Sequence, residues 1–129
     1  MENVQKSKGT EFETSYATFM EAYNTTPLSG EQIGKQIAMH GQYFASAASE
    51  LSNAKISYDK VLAIKEQSID DVTGKALSSA KAERITAATP EGARLVKADW
   101  VIKAIDKQIT TLWRLQEGAM KEWDNVNKI

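Results

Sequence analysis

Two stretches of this chain repeat their apolar residues every seven positions, and that repeat constrains the fold more than any other feature. In the first, Ile37, Phe44, Leu51 and Tyr58 lie seven apart, with Ile33, His40, Ala47, Ala54 and Val61 at the intermediate positions. In the second, Leu95, Ile102, Ile109, Gln116 and Trp123 are seven apart, and Ala98, Ile105, Leu112, Ala119 and Val126 interleave with them. A heptad period keeps one stripe of an α-helix turned toward a neighbouring helix. Each run therefore needs a helical partner, and the other run is the nearest one available. Two long helices joined by a short segment fold back most simply as an antiparallel hairpin. No segment alternates with the two-residue period of a strand. The fold class expected is all-α: a long antiparallel helical hairpin or coiled coil.

Capping signals set the element boundaries. Thr10-Glu11-Phe12-Glu13 reads as a capping box. Phe12, Tyr16, Phe19, Met20 and Tyr23 follow at helical spacing, which predicts a short N-terminal helix near 11–24. Ser29-Gly30-Glu31-Gln32 is a second box and predicts a helix from 30 to 68. Asp70-Asp71-Val72-Thr73-Gly74 reads as a break, with Thr73 placed to cap a short connector helix over 75–87. Thr89-Pro90-Glu91 combines an N-cap, a proline at the first helical position and an acid near the positive dipole end, which predicts a last helix over 90–127.

A chain of 129 residues suits one domain, here 1–129, with 1–10 expected to be flexible. There is no cysteine, so disulfides and thiolate metal sites are excluded. No apolar run approaches the roughly 18 residues that span a bilayer. The segment MENVQKSKGT shows no signal-peptide core. The expectation is a soluble, cytoplasmic protein (in the host-cell cytoplasm if viral) with no membrane partner.

Catalytic signals are weak. His40 is the only histidine, and neither 36 nor 44 is a carboxylate. It makes a poor metal ligand or general base and is expected to pack in the core or face a partner. There is no Gly-x-Ser-x-Gly elbow, no Walker loop and no Gly-x-Gly-x-x-Gly. Neither enzymatic activity nor a metal or other cofactor is expected. Gln116 interrupts the second seam, either at an exposed end of the hairpin or as a buried amide that fixes register.

All three tryptophans lie on the last helix. Trp123 is on the seam and is expected in the core. Trp100 falls opposite the seam, and Trp113 beside it. Together with Met120, Val96 and Val101 they form an off-seam apolar surface, and two apolar faces on one helix imply two helical neighbours. Trp100, Trp113 and Met120 are therefore the expected homo-oligomer interface.

Charge is unevenly spread around a net of −1: residues 1–59 carry −3, and residues 72–107 carry +3. Lys75, Lys81, Arg84, Arg94 and Lys97 cluster around the connector, with Ser78, Ser79, Thr86 and Thr89 among them. Cations and hydroxyls at a helical corner suit backbone contacts to single-stranded nucleic acid, and these five are the candidate nucleic-acid-binding residues. The opposing expectation is a solvated connector with ordinary surface charge.

The order of these parts resembles the UvsY-type recombination mediators of large tailed phages. In that resemblance GKQIAMHGQYFASAASELSNAKISYDKVLAIKEQ would be the first long helix, and KADWVIKAIDKQITTLWRLQEGAMKEW would be the assembly helix. The resemblance covers about 30–126 and rests on pattern and order. It implies an oligomeric single-stranded-DNA-binding protein that helps load a recombinase onto strands coated by single-strand-binding protein. The alternative is a helical scaffold or adaptor that acts only through protein–protein contact. The corner is Thr-Pro-Glu-Gly, not the Trp-x-Gly turn of small helical-hairpin secretion substrates.

Overall fold

The computed structural model describes residues 8–127, with side chains described over 11–125. Helices follow in the order α1 (Lys8–Thr25), α2 (Gly30–Glu66), α3 (Ser79–Ala87) and α4 (Pro90–Asn127). The fold is all-α, and α2 and α4 pack against each other as a helical hairpin. The chain divides into two compact units: residues up to Ser46 with those from Lys103 onward, and Ala47–Ile102.

The caps explain most of the boundaries. Ser29 and Gln32 form a reciprocal box: the Gln32 N–H donates to Ser29 Oγ at 3.1 Å, and the Ser29 N–H donates to Gln32 Oε1 at 2.9 Å. At the start of α4, Thr89 Oγ1 accepts from the Gly92 N–H at 3.2 Å. Two expected caps are corrected. Helix α1 begins at Lys8, so Thr10 lies inside its first turn and does not precede it. Helix α3 begins at Ser79, and its N-cap is Ser78, whose Oγ accepts from the Lys81 N–H at 3.2 Å. Thr73 accepts from the Lys75 N–H within a tight turn. There Gly74 takes φ +70°, a conformation that favours glycine. An isolated antiparallel bridge, Ile69 with Ala76, closes this loop. Helix α2 accordingly ends at Glu66, two residues before the expected 68.

In the first unit α1, α2 and α4 share a core of large side chains. Phe19, Ile33 and Leu112 are buried together, with Tyr16, Met20, Tyr23, Leu28, Ile37, Leu115 and Ala119 packed against them. The deeper of the two α2 rows is Ile33 and His40, and the deeper α4 row is Ile105 and Leu112. Burying a side chain of this size stabilises by about 1.5–3 kcal/mol. The second unit is built differently. Its buried side chains are those of Ala47, Ala54, Ala82, Thr86, Ala98 and Asp70, and Gly92 is buried with them. Alanine brings backbones close while removing less apolar area, so this unit gains less from burial per residue. At Gly92 the approach is closest: a Cβ there would collide with the Ala87 carbonyl and sit 2.7 Å from Thr86 O.

His40 is fully buried in the first unit, as a core position should be. Its Nε2 lies 2.8 Å from Gln108 Oε1, and its Nδ1 lies 3.1 Å from Gln36 Nε2. The Gln36 amide also donates to Ser15 Oγ at 2.8 Å. Tyr16 and Tyr43 meet the imidazole edge-on, with ring centroids 5.8 and 5.4 Å away. The Gln108 side-chain oxygen accepts from Nε2–H, and Nδ1 also lies 3.3 Å from the Gln36 carbonyl oxygen.

Candidate functional site

All five cations singled out from the sequence lie in the second unit, and the structure gives several of them intramolecular work. Lys81, in the first turn of α3, reaches back to the bridged loop, where its Nζ meets Asp70 Oδ2 at 2.8 Å. Asp70 is itself held by the loop: its N–H donates to Lys75 O, and its Oδ1 accepts from the Val72 N–H at 2.8 Å. The Lys81 contact, then the Val72 amide, hold the Asp70 carboxyl below its ordinary value. Arg94 crosses from α4 to α2 and grips Glu50 in a bidentate pair, Nε to Oε2 at 2.8 Å and an Nη to Oε1 at 2.9 Å. Another Nη donates to Ser57 Oγ at 3.3 Å. The Arg94 hydrogen bond, with Lys97 adding to the field, lowers the Glu50 carboxyl, and Glu50 in turn raises Arg94.

Three of the four hydroxyls in the segment are also engaged. Ser78 caps α3, and Thr89 caps α4. Thr86 is buried and donates to Ala82 O at 2.8 Å. Lys75, Arg84, Lys97 and Ser79 are exposed. Arg84 stands in the last turn of α3, where a cation meets the negative end of the helix dipole. The sequence reading paired none of these cations with an acid. The signal that finds Glu50 is register: the contacting pairs 30/116, 40/108 and 50/94 are each equidistant from position 73 to within two residues.

The tryptophans divide between the units. In the second, Trp100 is 56 % exposed, and Val96, one turn earlier, is exposed too. In the first, Trp113 is 57 % and Met120 58 % exposed. Thr110, Trp113, Arg114, Gln116, Glu117 and Met120 line an open groove of about 410 Å³. Trp123 corrects the expectation of a core residue, since it is 66 % exposed. The reason is where α2 begins. Gln116 Nε2 donates to Gly30 O at 3.0 Å, and Met120 already lies beside Gly30. Beyond them α4 has run past the first residue of α2. Gln116 is thus half-buried at the end of the pairing, and a Cβ at position 34 would sit 2.9 Å from its amide.

Among the described residues, no group of three or more His, Asp or Glu is placed to hold a metal ion, and no helix is long and apolar enough to cross a membrane. Comparison of the chain with protein-family models, with curated proteins and with solved structures gives no match.

Proposed function

We propose that this protein is a self-associating helical scaffold that works through protein–protein contact on the exposed side of α4. The observation that carries this reading is the exposure of Trp113 and Met120 beside a groove in a unit whose core is otherwise packed with large side chains. Exposed aromatic and methionine side chains are enriched at protein interfaces. The state of the basic corner supports the same reading, because Lys81 and Arg94 are already matched by Asp70 and Glu50. Light scattering tests it. The wild-type chain should have a mass above that of one subunit, and Trp113→Glu should lower it. A wild-type monomer at high concentration would overturn the proposal.

Exposure of Lys75, Arg84 and Lys97 in one unit favours a second reading, a single-stranded-DNA-binding mediator of recombination. Three phosphate contacts on a single strand give a salt slope of about −2. Labelled oligo(dT) should then bind at low salt, bind more weakly at moderate salt, and bind less after Arg84→Glu with Lys97→Glu. Absence of binding at low salt removes this reading and leaves the scaffold.

A further inference from the structure

We infer that residues 69–88 form a strap that opens as one body while α2 and α4 stay folded, and that the Lys81–Asp70 pair is what joins its two parts. The strap lies wholly within the second unit. Little apolar burial holds it. Of these residues, Asp70, Ala82 and Thr86 are the buried ones, whereas Ile69, Val72 and Ile85 are exposed. A segment that breaks few apolar contacts on opening does so well before the whole molecule unfolds. The long helices also close their own ends. The Gln67 and Ser68 amides finish α2 on the carbonyls of Ile64 and Lys65, and Thr89 Oγ1 caps α4 at the Gly92 N–H. None of these bonds uses residues 69–88, so neither long helix needs the strap for its terminus.

The strap has two parts, and each is weak by itself. The loop before α3 is closed by backbone bonds from the Asp70 amide to Lys75 O at 2.6 Å and from the Gly74 amide to Asp70 O at 2.8 Å, around one isolated bridge. A two-stranded contact without a packed face is marginal in water. Helix α3 has nine residues, fewer than an isolated helix needs to persist. Lys81 spans the two parts. It leaves the first turn of α3 and meets Asp70 Oδ2 at 2.8 Å, while Asp70 Oδ1 accepts from the Val72 N–H at 2.8 Å. Closing the loop therefore positions the carboxylate that α3 uses, and forming α3 positions the ammonium that the loop uses. The exposed cations Lys75 and Arg84 ride on the strap and Lys97 does not, so closure is what fixes their spacing.

Native-state hydrogen exchange of the full-length protein, read amide by amide, tests both halves of the inference. In the wild type the Asp70, Gly74 and Ala82 amides should share one opening constant, larger than that of Ile105 and Leu112. Ser78→Ala removes the α3 cap and should speed exchange at Ala82 about fivefold. If the strap is one body, Asp70 and Gly74 should speed up by the same factor. Gly74→Ala strains the loop at φ +70° and should reach Ala82 in the reverse direction. In a Lys81→Met background this reciprocity should vanish, with Ser78→Ala felt in α3 alone. Ile105→Val weakens the core of the first unit, so it should speed exchange at Leu112 and leave the strap amides unchanged. Three results would each overturn the inference. One is a Ser78→Ala effect confined to α3 when Lys81 is present. Another is an Ile105→Val effect of equal size on strap and core, which would mean that the strap opens only with the whole protein. The third is strap amides with no protection at all, which would leave no closed state to open.

Discussion

Arg94 shows how a single side chain changes meaning once its neighbours are known. By composition it is a cation near a corner; in the folded chain it is a bidentate partner of Glu50. Planar two-point pairing gives orientation as well as attraction, although exposed ion pairs contribute only about 0–1 kcal/mol. Glu50 and Asp70 make a testable pair of acids. Both carboxyls are held below their ordinary values of 4.5 and 3.8. Between the ordinary and the lowered value, the unfolded chain binds more protons than the folded one, so stability rises with pH there. The contribution is complete above the ordinary values and is lost as pH falls through the lowered ones. Thermal melting from pH 7 downward should show its acid loss beginning near 4.5 and continuing below 3.8, and Asp70→Asn should shrink the lower part of that loss. A second test concerns His40. Gln108→Leu leaves the buried Nε2–H without its acceptor, which costs about 1–3 kcal/mol. Urea denaturation should show that loss, and the double variant His40→Leu with Gln108→Leu should recover part of it, because no polar atom of the pair is then stranded.

At the scale of elements, glycines separate local preference from packing. Helix interiors favour alanine over glycine by about 1 kcal/mol. Gly118 lies within α4 with no atom near the position a Cβ would take. Gly118→Ala should therefore raise stability by about that amount. Gly92 lies in the first turn of α4 against the end of α3. There the added methyl meets backbone, which cannot swing aside, so Gly92→Ala should destabilise by about 1–3 kcal/mol despite its better propensity. Equilibrium denaturation of the two variants checks both signs. The shortness of α3 has its cause at the other end, in the loop that precedes it. Residues 68–77 form the bridged loop, with the Asp70 and Leu77 amides bonded to the carbonyls of Lys75 and Ser68. Helix α3 begins only after these bonds, where Ser78 can supply a cap.

At the scale of the whole molecule, the two candidate surfaces lie in different units and should be separable. Trp113→Glu should lower the assembled mass with helicity retained, and Arg84→Glu with Lys97→Glu should leave that mass unchanged; circular dichroism with light scattering reads both. The sequence alone determined the helical class, both long elements and their fold-back. Those features follow from signals within one or two turns: a seven-residue period, the Ser29–Gln32 box, and the Thr89–Pro90 start. It also marked Trp113 and Met120 as lying off the seam, because angle around a helix follows directly from spacing. Tertiary structure decided the rest. A period says which side of a helix needs a partner, and it does not say where that partner begins. Trp123 keeps the seam's spacing yet is exposed, because α2 starts at Gly30, alongside Gln116 and Met120. Nor does spacing along one helix show which acid a cation meets on another. Arg94 found Glu50 44 positions away, and Lys81 found Asp70 through a loop whose bridge no strand-like pattern announces. Helix formation depends on residues a few positions apart, whereas the pairing of charges depends on the register and the ends of elements distant in the chain.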